Sequence, residues 1–123
     1  MALEITIKAT GAIMLSDELR AFVEEKVRKL EKLLDPADTT ALAEVELESV
    51  NQSRTGDSFR AEINLSYAGG FTRAEAKKES LHAALDEAVA EARRSLRRNR
   101  TKHRDLVRRG AVKVKDFFRK FRG

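Results

Sequence analysis

Three runs of alternating apolar and polar residues follow one another between Ala43 and Lys78, separated by too little chain for anything but turns. In the first, Val45 and Leu47 alternate with Glu44, Glu46 and Glu48. In the second, Phe59, Ala61, Ile63, Leu65 and Tyr67 alternate with Arg60, Glu62, Asn64 and Ser66. In the third, from Phe71 to about Lys78, Thr72, Ala74 and Ala76 share one side, and Arg73, Glu75 and Lys77 the other. A period of two is that of a strand with one buried face. The polar stretch Asn51 to Ser58, with Gly56-Asp57 as a turn signal, makes the first connection, and Gly69-Gly70 supplies the positive φ of a tight hairpin for the second. Consecutive strands joined this closely pair antiparallel, so the stretch is a three-stranded meander. A sheet with one apolar face needs a second layer to cover it.

The remaining periodic stretches supply that cover. In LHAALDEAVAEARRSLRRNRTK, residues 81–102, the positions Leu81, Leu85, Ala88, Val89, Ala92 and Leu96 fall on one side of a helix, while Arg93, Arg94, Arg97 and Arg98 point away. Ser80 caps this helix, which can continue to about Arg109 before Gly110 breaks it. Ahead of the meander, Leu3, Ile5 and Ile7 alternate with Glu4, Thr6 and Lys8 as a further strand, ended by Thr10-Gly11. Ser16 is the next N-cap, with Asp17 and Glu18 in the first turn where negative charge is favoured. Leu19, Phe22, Val23, Val27, Leu30, Leu33 and Leu34 form the stripe of the helix that follows, and Asp35-Pro36 stops it. Pro36 to Ala41 is a short connector. The expected fold is α+β, in the order β-α-β-β-β-α, with two helices packed on one face of a four-stranded sheet. The other face is expected to stay wet, lined by Glu4, Thr6, Glu44, Glu46, Glu48, Glu62 and Asn64, with Phe71 as its exposed ring. That composition argues against the aromatic platforms on which single strands stack.

A chain of 123 residues in one series of elements is a single domain, able to remove about two-thirds of its unfolded surface from water. The absence of cysteine excludes disulfides and thiolate metal sites. No window offers the roughly 18 uncharged apolar residues of a membrane span, and charges run through the N-terminal stretch, so a soluble cytoplasmic protein is expected. The net charge of +5 conceals an asymmetry: residues 1–92 hold 11 Lys and Arg against 18 Asp and Glu, and residues 93–123 hold 14 against 2. A block this one-sided points to a polyanionic partner, nucleic acid ahead of an anionic membrane. The two histidines, His82 and His103, have no partner at triad or metal-ligand spacing, and Gly69-Gly70 lacks the pattern of a phosphate-binding loop. No catalysis, no cofactor, no metal and no small-molecule substrate are expected.

The order of elements, the phrase LRAFVEEKVRKLEKLL and above all ESLHAALDEAVAEARRSLRRNRTKHR resemble the short ribosome hibernation promoting factors and the related ribosome-associated inhibitor, over roughly residues 1–104. The resemblance implies a domain, 1–104, that lies in the small ribosomal subunit on RNA of the 16S type, across the mRNA channel and the tRNA sites, and blocks translation in idle ribosomes. Whole ribosomes are then a further partner. Carried over position by position, the RNA-binding residues are Arg20, Lys26, Lys29 and Lys32 in the first helix and Arg94, Arg97, Arg98, Arg100 and Lys102 in the last. By wheel angle Lys26 lies within the apolar arc, where its stem can pack while its ammonium reaches water, or where it can form an RNA-facing edge. Glu91 stands where a lysine is common in the family and Arg93 where a glutamate is common. His82 stands where tyrosine is frequent and is expected to pack rather than react.

The tail, 105–123, resembles that of the inhibitor type in RRGAVKVKDF but ends in FFRKFRG where that type ends acidic. Its candidate contacts are Phe117, Phe118, Arg119, Lys120 and Phe121. They dock on their own domain, order on RNA, or lie on an acidic lipid surface. The dimerisation domain of the long hibernation factors does not occur in this chain, so a monomer off the ribosome is expected. Three rival readings are a free double-stranded RNA binder, a membrane-surface protein anchored by the tail, and a protein whose contact is the acidic sheet face.

Overall fold

The computed structural model describes residues 3–50 and 58–108, with the backbone alone over 100–108. Its elements are β1 (Glu4–Thr10), α1 (Asp17–Arg28), a 3-10 helix (Lys29–Leu33), β2 (Leu42–Ser49), β3 (Phe59–Tyr67), β4 (Gly70–Lys78) and α2 (Leu81–Arg108). This is the expected β-α-β-β-β-α order of an α+β domain. The sheet runs β1-β2-β3-β4. β2, β3 and β4 form the antiparallel meander, and β1 joins its edge parallel to β2, in register from Glu4 opposite Leu42 to Thr10 opposite Glu48. A strand followed by a helix on the core side has to return to its starting end, which is why the next strand lies parallel to it.

The register brings the inward residues into rows: Ile7, Val45, Ile63 and Ala74 across the middle, with Ile5, Ala43, Leu65 and Thr72 on one side of them. Both helices cover these rows. Val23, Val27 and Leu30 descend from the first, and Ala84, Leu85, Ala88, Val89, Ala92 and Leu96 from α2, all in one buried cluster with the sheet residues. Three alanines on the inner face of α2 let its backbone approach β3 and β4 closely. Ser16 Oγ accepts from Leu19 N at 3.1 Å and Ser80 Oγ from Ala83 N at 3.1 Å, so both expected N-caps form.

Several details depart from the sequence reading. The first helix does not stay α-helical to Leu34; it tightens into the 3-10 helix at Lys29. Residues i and i+3 eclipse in a 3-10 helix, so the change stacks Lys29 over Lys32 on one edge and Leu30 over Leu33 on another. At the second hairpin Gly69 alone takes a positive φ, 107°, while Gly70 already belongs to β4. At Gly70 the crowding is of another kind: a Cβ there would lie 2.9 Å from the Tyr67 hydroxyl, so that ring would have to shift. The Gly56-Asp57 turn and the whole segment 109–123, with Phe117, Phe118, Arg119, Lys120 and Phe121, lie outside the described residues.

Glu62 does lie on the open face, but it is not wet: its exposure is 7 %. Arg60 reaches its Oε2 at 2.7 Å and Arg73 at 2.9 Å, while Asn64 Nδ2 donates to Oε1 at 2.8 Å. Arg60 also lies 3.3–3.6 Å from Glu46, Glu48 and Glu75. Burial works against the charge of Arg60, but Glu75, Glu62 and Glu48 overcome it and hold its pKa above the ordinary value. The Asn64 hydrogen bond is the chief reason that the Glu62 carboxyl ionises below its ordinary 4.5; burial opposes, and Arg73 and Arg60 add to the lowering. A depressed carboxyl pKa contributes stability that is present above the unfolded value and lost as pH falls through the folded one. Acid denaturation followed by circular dichroism is therefore expected to be shallower for Glu62→Gln than for the parent between about pH 5 and pH 2. Superimposable profiles would remove this role from Glu62.

Candidate nucleic-acid interface

The two helices run in the same direction. The Phe22 ring stacks on that of His82 with centroids 4.1 Å apart and 21° between planes. One turn further along both helices, Lys26 Nζ lies 3.6 Å from Asp86 Oδ1. At the far end of the first helix, Arg28 Nη1 donates to the Leu3 carbonyl, 3.5 Å away, at the start of β1. On α2, Asn99 Nδ2 donates to Tyr67 Oη at 2.9 Å and Thr72 Oγ1 at 3.2 Å, beside the β3–β4 hairpin. Register places the start of β1 and that hairpin at the same end of the sheet. The basic C-terminal half of α2 and the 3-10 helix that follows α1, with Lys29 and Lys32, are thus gathered at one end of the domain. Past Asn99, α2 continues for nine residues, on the order of 13 Å of helix, and their sequence includes Arg100, Lys102, Arg104 and Arg108.

Of the nine positions selected from sequence, Arg20, Lys29 and Lys32 are exposed on the first helix and its 3-10 extension. Lys26 follows the packing alternative of its position in the wheel. Its stem is half-buried, and its ammonium sits 5.5 Å from the Phe22 ring centroid and beside Asp86, bridging the helices. Arg94, Arg97 and Arg98 are exposed on α2. Arg94 Nη2 donates to Glu91 Oε2 at 2.7 Å and to Glu87 Oε1 at 3.2 Å, and Arg98 Nη2 donates to Ser95 Oγ at 3.0 Å, with Glu91 Oε1 3.8 Å away. These contacts, the Glu91 hydrogen bond first, raise the Arg94 pKa. The same bond is the chief cause that lowers the pKa of Glu91. The backbone at Arg100 and Lys102 is helical; their side chains lie outside the described residues.

Arg93, which the sequence places on the solvated side but outside the nine selected positions, is half-exposed four positions before Arg97. One residue that matters here escaped the sequence reading. Asn99, a poor helix former in a run of arginines, is the polar anchor of α2, and its partners 27 and 32 residues away could not be read from local pattern. His82, expected to pack, stacks on the Phe22 ring while staying exposed at the edge of the helix pair. Among the described residues no group of three or more His, Asp or Glu is placed to hold a metal ion, and no helix is long and apolar enough to cross a membrane.

A family model described as sigma 54 modulation protein / S30EA ribosomal protein matches residues 5–104, from β1 through both basic helix segments. The chain belongs to this family. That is the ribosome hibernation factor family to which the residue pattern pointed. Among solved structures, this S30EA-family chain is similar to the N-terminal domain of Protein Y from Thermus thermophilus, with a TM-score of 0.65 and 27% identity over 77% of this chain and 97% of that one. It is also similar to a ribosomal subunit interface protein from Coxiella burnetii, with a TM-score of 0.58 and 13% identity over 82% of this chain and 99% of that one. At that identity the second likeness supports the fold alone. No curated protein matches the chain significantly. In this S30EA chain α2 runs on four residues past the family match, to Arg108.

Proposed function

We propose that this protein is a ribosome hibernation factor that sets the basic ends of its two helices on ribosomal RNA of the small subunit and blocks translation by occupying the mRNA channel and the tRNA sites. The observation that carries the proposal is the parallel course of the helices. It puts Lys29 and Lys32 at the same end as Arg94, Arg97 and Arg98, so phosphates from more than one RNA segment can be met together. Such contacts position a protein on RNA without reading bases. The open sheet face favours no alternative mode of RNA contact. Its centre is a closed network of Arg60, Arg73 and four glutamates, and Phe71, 56 % exposed, is the single large apolar side chain exposed there among the described residues. Inhibition is then steric, and the ribosome as partner makes the cytoplasm its place of action. Off the ribosome the protein is a monomer.

Sedimentation of small subunits and whole ribosomes with added protein tests the reading. Co-migration is expected at low salt and should be displaced by bound tRNA. If six to ten phosphates are neutralised, affinity falls by roughly three to five orders of magnitude between 50 and 200 mM salt. Protein that stays at the top of the gradient while binding isolated RNA duplexes or anionic vesicles would overturn the proposal.

A further inference from the structure

The arginines proposed to meet phosphate are not equivalent. Along α2, Glu87, Glu91, Arg94 and Arg98 succeed each other at spacings of four, three and four, which makes one ridge of the helix. Arg93 and Arg97 lie on the next ridge. On the first ridge the geometry is specific. Arg94 Nε and Nη2 both address Glu91 Oε2, at 3.3 and 2.7 Å, and the same Nη2 meets Glu87 Oε1 at 3.2 Å. The Nε–Nη2 edge is the part of a guanidinium that grips a phosphate or carboxylate with two parallel hydrogen bonds. On Arg94 that edge is already filled. The other oxygen of Glu91 faces Arg98 at 3.8 Å, so one carboxylate spans the two arginines much as a phosphate would.

We infer that Glu91, backed by Glu87, is a specificity-determining residue whose carboxylate is an internal stand-in for phosphate on the Arg94–Arg98 ridge. The inference rests on the proposed RNA contact and adds a selection rule to it. An incoming phosphate at Arg94 must exchange with a carboxylate already in place, so a single or loosely held anion gains little. An RNA surface that holds several phosphates at fixed spacing engages Lys29, Lys32 and Arg97 in the same event, and their attraction drives the exchange. Glu91 therefore weakens binding to isolated, sparse polyanions more than binding to the folded RNA of a ribosomal subunit.

Two probes test this at one fixed ionic strength: a short RNA duplex, followed by fluorescence anisotropy, and purified small subunits, followed by sedimentation. Glu91→Gln is expected to tighten duplex binding by roughly two- to fivefold, the range for releasing an exposed ion pair, and subunit binding by less. Glu79→Gln removes the same charge from the turn before α2 and controls for net charge. Its gain on the duplex should be smaller. In an Arg94→Gln background the Glu91→Gln gain should shrink toward that of Glu79→Gln. Equal gains from Glu91→Gln and Glu79→Gln, equal gains on both probes, or a Glu91→Gln gain undiminished without Arg94 would each overturn the inference. Failure of the parent protein to bind subunits at low salt would instead overturn the proposed function, so the two failures are distinguishable.

Discussion

Replacing Arg94, Arg97 and Arg98 together by glutamate is expected to abolish the proposed co-sedimentation with small ribosomal subunits and to leave the fold in place. Each charge-assisted contact to phosphate accounts for about a tenfold change in affinity or more. Loss of the Arg97 and Arg98 contacts weakens binding by about a hundredfold, Arg94 adds what remains after Glu91 is displaced, and the introduced carboxylates repel the RNA further. All three side chains are exposed, with their core-facing neighbours Ala92 and Leu96 untouched. Circular dichroism should therefore match the parent, with a melting temperature within a few degrees of it. Unchanged sedimentation of the folded triple variant would remove the C-terminal half of α2 from the interface.

The largest loss of stability is expected from Ile63→Ala. Ile63 is fully buried in the middle strand of the meander, between Val45 and Ala74 and beneath α2. Truncation there removes the transfer energy of the lost methyl groups and leaves a cavity that flanking strands cannot collapse, a cost of about 2–5 kcal/mol. For a domain of this size that lowers the melting temperature on the order of 10 °C, measurable by thermal or urea denaturation. A change below about 1 kcal/mol would contradict the packing described for β3.

The contrast between Ile63 and its neighbour Glu62 shows how far the sequence could be read. Ile63 is legible because period-two alternation fixes its face, and one buried face fixes the whole strand. Alternation also fixes the face of Glu62, but not its burial. That depends on Arg60 two positions before it and on Arg73, which faces Glu62 only through the β3–β4 pairing. The caps at Ser16 and Ser80 were legible because a cap is a local event. The parallel edge position of β1 and the tie from Asn99 to Tyr67 and Thr72 were not, since both join segments about 30 or more residues apart. At the candidate site, helical spacing identified Arg94, Arg97 and Arg98 as outward-facing. It did not show which guanidinium edge Glu91 fills, because that is decided by side-chain rotamers.

The shared direction of the two helices has a consequence for folding that is separate from binding. Parallel helices point their macrodipoles the same way, with the partial negative charge of each at its C-terminus. Lys29 and Lys32 follow the end of α1, and the sequence of α2 is basic through its last turns to Arg108. Cations there offset the partial charges of the terminal carbonyls. A surface that gathers like charges for a partner is ordinarily a strain on the free protein. Here Lys29 and Lys32, set just past the end of α1, offset the partial charge of its terminal carbonyls, so at that helix end the residues proposed to meet RNA also serve the free fold.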